Sequence, residues 1–216
     1  MTTPSRTRTL ALAGVVAPVW FTAMVAIQGE LYPRYSHVTM PISALAAWPM
    51  GWMQNLTFAV AGVLVVALVT ALHRSVRPAH RGDAGRVLLV IGGAALAMNA
   101  VFPWKMVDGV PAEPTAHAAT AITTFLATAL GMIVISRRMT TDERWRGLAG
   151  YTRWSGALVL VLFLVLGFLA IEEGAPLHRW TGLIQRVLVA VWFVWMIVVA
   201  LRVRAGGRTA DLGPHW

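Results

Sequence analysis

Cysteine is missing from all 216 residues. That excludes disulfides and thiolate chemistry, and it leaves the redox compartment unreported. Charge is scarce: 12% of residues are charged against 57% hydrophobic, about half the charge of an ordinary soluble domain. Acids are the scarcest, 9 Asp and Glu against 18 Lys and Arg. There is no H-E-x-x-H pair, no Ser/His/Asp order and no phosphate loop, so the commonest hydrolase and nucleotide signatures are absent. The sequence also shows no linker, low-complexity tract or clear internal repeat, and reads as one domain, 1–216.

What the chain has is apolar sequence in blocks, with mean hydropathy +0.66. Six stand out: Leu10 to Gln28, Trp52 to Leu72, Val87 to Phe102, Ala118 to Ser136, Ser155 to Ile171 and Gly182 to Leu201. Each is near the roughly 20 residues a helix needs to cross a bilayer. They are apolar all round, without the period-two alternation of a barrel strand, and lipid admits only helices or closed barrels. The expected fold is all-α, a polytopic membrane protein with a six-transmembrane-helix bundle. Arg6 and Arg8 precede the first block as in a signal peptide. The block is long for one, though, and no convincing cleavage site precedes Gln28, so it reads as a retained helix.

The net charge of +9 could suggest nucleic acid, but its distribution argues against that. With the N-terminus in the cytoplasm, the inner side holds Arg6 and Arg8, four arginines from Arg74 to Arg86, five from Arg137 to Arg153, and Arg202, Arg204 and Arg208. The other side holds only Arg34, Lys105, Arg179 and Arg186. This is the positive-inside pattern of a topology signal, with both termini cytoplasmic and no nucleic-acid partner. Acids split four inside (Asp83, Asp142, Glu143, Asp211) and five outside (Glu30, Asp108, Glu113, Glu172, Glu173), and His37, His117 and His178 fall outside. Mixed titratable groups gathered at one end of a bundle make a better site than a surface of one sign.

Several residues could carry chemistry there. Arg186 would lie about 8 Å along the last helix, costly unless it snorkels or pairs. Glu172 and Glu173, across the short turn "EEGAPLHRW", are its expected partners, either as a latch between helices five and six or as part of a working site. Glu30, just past helix one with Tyr32, Tyr35 and His37, is either a solvated helix end or a general acid in an aromatic setting. His117, Thr120, Thr124 and Thr128 share one helical face and point into the bundle as packing glue or substrate contacts. Asn99, Gln54 and Asn55, inside apolar blocks, should also face inward; there the "NLT" at Asn55 is no glycosylation site. His37, His117 and His178 match a catalytic zinc ligand count but lack ligand spacing. Trp48, Trp52, Trp104 and Trp180 fit an interfacial belt. Trp20, Trp192 and Trp195 lie deeper, as packing or as the wall of an apolar cavity.

The stretch "YSHVTMPISALAAWPMGWMQNLTFAVAGVLV", the "VFP" closing block three, His117 opening block four and "WTGLIQRVLVAVWFVWMIVVALR" resemble a large family of six-helix bacterial membrane proteins of unknown function. That family is distantly similar to the FRAG/DRAM/SFK-like superfamily. The resemblance covers Leu10 to Arg204 and rests on Ser43, Asn55, Phe102-Pro103, His117, Gly182 and Arg186. It implies the bacterial cytoplasmic membrane. Where the family shows an acid after the first-loop serine this chain has Ala44, and where it tends to place a small residue and an aspartate after F-P it has Trp104 and Lys105. Losing those acids suggests a more apolar, aromatic pocket.

Three functions remain in view. The first is an enzyme acting on an isoprenoid or similar lipid by proton-initiated cyclisation or isomerisation, without a cofactor. Glu30, Glu172 and Glu173 are its candidate acids, and Asp108 and His117 its bases. Trp20, Tyr35, His37, Trp48, Trp52, Asn55, Asn99, Trp104, Thr120, His178, Trp180, Gln185, Arg186 and Trp192 would line the substrate site. The second is a non-catalytic protein that binds, senses or helps transport a membrane lipid or prenylated small molecule. The third is a metal-dependent membrane hydrolase built on the three histidines.

Overall fold

The computed structural model describes residues 4–76 and 83–206. Helix α1 (Pro4–Ala11) runs into α2 (Ala13–Leu31) through Leu12, whose backbone stays helical. Then come α3 (Gly51–Ser75), α4 (Ala84–Met98), α5 (Thr115–Met139), α6 (Arg146–Val165) and α7 (Thr181–Gly206). Five stretches are long and apolar enough to cross a membrane: Ser5–Leu31, Gly51–Ser75, Thr115–Met139, Arg146–Ala170 and His178–Gly206. Helix α4 is a shorter apolar helix. The chain is an integral membrane protein.

The boundaries differ from the sequence expectation for identifiable reasons. The third block was expected to run to Phe102, but α4 stops at Met98. Beyond it the amides of Ala100 and Val101 bond three residues back, to Ala97 and Met98. Pro103 has no amide to continue the ladder and disfavours helical backbone at Phe102. Helix α6 starts at Arg146 rather than Ser155 and ends in a widened π turn, Leu166–Ala170. The all-α expectation also missed a hairpin, β1 (Lys105–Val107) against β2 (Val110–Ala112). Its turn residues Asp108 and Gly109 have φ of 49° and 79°, the two positive values that a tight Asp-Gly turn requires.

Each long helix packs on its neighbours in sequence, and α7 returns to α2, so α2 to α7 close a ring. Trp192, Trp195, Leu68, Met132 and Met196 fill its interior. Glycines let α4 approach α5: Gly92 lies against Thr128 Oγ1, and a Cβ on Gly85 would sit 2.7 Å from the Ile135 amide.

At one end of the ring, arginines clasp the connections. Arg138 donates to Asp83 (3.2 Å) and to the Val76 carbonyl (2.9 Å). Arg144 and the Trp145 indole both reach the Ser75 carbonyl, and Arg202 reaches the Arg144 carbonyl. Arg77, Arg81, Arg208 and Asp211 lie outside the described residues. At the opposite end, the loop between α2 and α3 folds into the bundle. Its 3-10 helix, Ile42–Ala47, is buried over Ile42 to Ala46. Non-helical backbone is tolerable at such depth only when protein satisfies its polar groups, and the hydrogen bonds at this cap do so.

Candidate functional site

The cap is fastened by α7. Arg186 donates to Tyr35 Oη (2.6 Å), His37 Nδ1 (2.9 Å) and the carbonyls of Met40 (3.2 Å) and Gly182 (3.0 Å). Its guanidinium also stands 5.6 Å from the Tyr35 ring centre. Gln185 Oε1 accepts from the Ile42 amide (2.6 Å), and the Leu183 amide donates to the Val38 carbonyl (3.0 Å). Gly182 lets the Met40 carbonyl lie directly on α7. Arg186 therefore latches the first loop onto α7 and is not ion-paired with Glu172 or Glu173, which are exposed. The expected partners lost because the turn between α6 and α7 is closed differently. Thr181 Oγ1 (2.6 Å) and His178 Nδ1 (3.1 Å) both bind the Ala170 carbonyl that the π turn leaves free. Burial holds the Tyr35 hydroxyl above its usual pKa, opposed by Arg186. The His37 imidazole is held below its usual value, first by burial and then by Arg186, with Glu30 opposing.

Two of the spaces beneath the cap are joined. The larger is a groove of about 490 Å³ between α5, the end of α6 and the start of α7. Its walls are Ile122, Phe125, Phe163, Leu164 and Phe168, and Trp104, Glu113 and Glu172 also line it. Phe168 is 77% exposed and Ile122 50%, so the groove opens on the face that meets lipid. The π turn contributes Leu166 to Phe168, and such widened turns favour functional positions. The smaller space is a cavity of about 40 Å³ inside the ring, walled by Phe21, Phe58, Phe125 and Phe193 with Asn99, His117, Thr124 and Trp192. Ser43, Ala121, Phe125 and Gln185 line both spaces.

Glu113 is the titratable residue that the sequence reading left out of the site. Half-buried between β2 and α5, its carboxyl is pushed above the usual range by burial, and the neighbouring Trp104 indole offsets part of this. The available signal was its setting: "VPAEPT" places one of only 9 acids between two prolines, a rigid approach to an apolar helix.

The expected site residues divide by place. Asn99 and His117 reach the inner cavity. Thr120 Oγ1 donates to Asn99 Oδ1 at 2.8 Å, so the polar stripe of α5 does face inward. Gln185 sits at the junction of the two spaces, and Glu172 on the groove. Tyr35 and His37 belong to the Arg186 latch. Glu30 is exposed at the end of α2, Glu173 is exposed beyond α6, and Asp108 sits at the hairpin tip; none of the three lines either space. Trp52 and Trp180 are exposed, at 60% and 40%, as a belt requires. Trp48 and Trp104 instead turn inward, Trp48 stacking on Tyr32 at 4.9 Å and Trp104 packing edge-on to His117 at 6.2 Å. Trp20 is half-buried, and Asn55 keeps an unpartnered Oδ1. Phenylalanine, not tryptophan, dominates the walls. The three histidines do not converge: His37 is on Arg186, His117 on the Phe102 carbonyl and His178 on the Ala170 carbonyl. Among the described residues no group of His, Asp and Glu is arranged to hold a metal ion.

No curated protein and no solved structure matches the chain. One family model does, over residues 15–202, and it is described as a protein of unknown function (DUF998). That match takes in α3 to α6 whole, nearly all of α2 and α7, and the residues lining both joined spaces beneath the cap, and the chain belongs to that family.

Proposed function

We propose that this protein is a membrane-embedded enzyme that takes the chain of an isoprenoid or similar apolar lipid into the groove between α5, α6 and α7. There it isomerises or cyclises the chain by proton transfer from Glu113. The observation that carries the reading is a carboxyl held toward its neutral form at the mouth of a phenylalanine-walled groove of about 490 Å³. A neutral carboxylic acid beside apolar surface is suited to general-acid work.

In the proposed step the Glu113 O–H adds its proton to one alkene carbon. The π electron pair becomes the new C–H bond and leaves a carbocation next door. Phe125, Phe163 and Phe168 face that charge with their ring quadrupoles. Glu172 then accepts a proton from an adjacent C–H, and that electron pair restores a double bond in a new place. Where a second alkene attacks the cation first, the product is a ring. Proton exchange between the two carboxyls resets Glu113.

The membrane arrangement belongs to the same proposal. α4, about 22 Å long at 1.5 Å per residue, crosses with help from the turn at Asn99, giving six crossings. Both termini and the arginine clasp face the cytoplasm of a bacterial cell, and the cap and groove mouth face outward. Non-catalytic lipid binding would use the same groove, so the test is turnover. Purified protein is incubated with prenylated substrates and products are read by mass spectrometry. Glu113→Gln and Glu172→Gln should each cut turnover at least a hundredfold while leaving lipid binding in place. Undiminished turnover in folded Glu113→Gln overturns the proposal.

A further inference from the structure

We infer that the lipid is an alcohol: the inner cavity is a receptor for one uncharged hydroxyl at the end of the isoprenoid. This rests on the groove reading and names its substrate class.

Three features of the cavity point there. The first is a donor without a partner. Trp192 is 2% exposed and lines the cavity, and its Nε1–H makes no hydrogen bond. A buried donor without a partner is costly, and a bound oxygen would recover that cost. The second is an acceptor. The Nδ1 of His117 lies 2.8 Å from the Phe102 carbonyl, which can only accept, so Nδ1 carries the proton. Nε2 is then a lone pair. A hydroxyl donates once and accepts, matching both groups; an ether or carbonyl oxygen would satisfy Trp192 and leave His117 unmet. The third is size and charge. About 40 Å³ is room for roughly three water-sized groups, and no Asp, Glu, Lys or Arg lines it. A phosphate would be buried there with no cation among the lining residues, which membrane interiors tolerate poorly.

The route in is continuous. Ser43 and Gln185 line both groove and cavity, and the Ser43 hydroxyl makes no hydrogen bond among the described residues. Gln185 spends its Oε1 on the Ile42 amide and keeps its amide N–H groups for the passing head. The alcohol end would sit under the cap, and the alkene chain would run out past Phe125 toward Glu113.

The test measures binding, not turnover, so its failure is separable from failure of the acid chemistry. Full-length protein in lipid nanodiscs is titrated with farnesol, farnesyl methyl ether and farnesyl monophosphate. Farnesol should bind about tenfold tighter than the ether, as one further hydrogen bond to a buried acceptor predicts, and the monophosphate weaker than farnesol. His117→Leu should erase the alcohol–ether difference without weakening the ether, Trp192→Phe should weaken alcohol and ether alike, and Glu113→Gln should keep the difference. Equal binding of alcohol and ether to the wild-type protein overturns this inference and leaves the groove standing, as does tighter binding of the monophosphate. Absence of binding by all three removes both.

Discussion

Glu113 and His37 both feel burial, yet their effects on stability run with opposite sign. A carboxyl raised above its ordinary 4.5 binds more protons folded than unfolded, so stability falls as pH rises above about 4.5. At pH 7 Glu113 is a cost, and Glu113→Gln should raise the melting temperature in detergent while abolishing turnover; an unchanged or lower melting temperature contradicts the burial argument. His37 is lowered from 6.5, so the unfolded chain binds more protons. Stability is present above about 6.5 and is lost as pH falls below it, because a charged imidazole must be partly buried and must face Arg186. His37→Gln should flatten the melting temperature between pH 7 and pH 5; a profile as steep as wild type contradicts it. At this scale the sequence said that Arg186 needed partners but not which. Proximity in the chain favoured Glu172 and Glu173, while the real partners, Tyr35, His37 and Met40, come from a loop some 150 residues away whose inward fold no local pattern encodes.

The close α3–α4 and α4–α5 packing depends on glycine. A Cβ on Gly62 would stand 2.5 Å from the Ala97 amide nitrogen and the Gly93 carbonyl oxygen, with backbone on both sides. Gly62→Val should destabilise the protein by about 1–3 kcal/mol through overpacking. Gly147→Ala, on α6 with nothing within 4 Å of the added atom, should be neutral or slightly stabilising. Thermal unfolding of the two variants decides: similar losses in both would mean the close approach is not what holds these helices. Helices were legible as apolar blocks because membrane spans are long and apolar all round. The hairpin escaped because three-residue strands carry no periodic signal, although "DG" was its marker. The π turn escaped because it is set by tertiary closure, through Thr181 and His178 on the Ala170 carbonyl.

For the whole molecule, the apolar blocks already gave the membrane class, while the orientation read from charge asymmetry belongs to the proposal. The clasp of Arg138, Arg144 and Arg202 lies at one end of the ring and the acids of the groove at the other. A chain without cysteine allows single cysteines to report the side. In intact cells a membrane-impermeant maleimide should label Asp108→Cys and Glu173→Cys but not Thr141→Cys; the reverse pattern inverts the orientation. The groove was the least legible feature, because it is made by the fit of three helices and by an acid between two prolines. Its occupancy is most directly tested by photocrosslinking a diazirine-bearing farnesol to the protein in nanodiscs and sequencing the adducts. The account predicts adducts on Ala118 to Phe125 and on Phe163 to Ile171, competed away by unlabelled farnesol. Adducts confined to the outward face of α2, at Val16 and Val19, or insensitive to competitor, would contradict it.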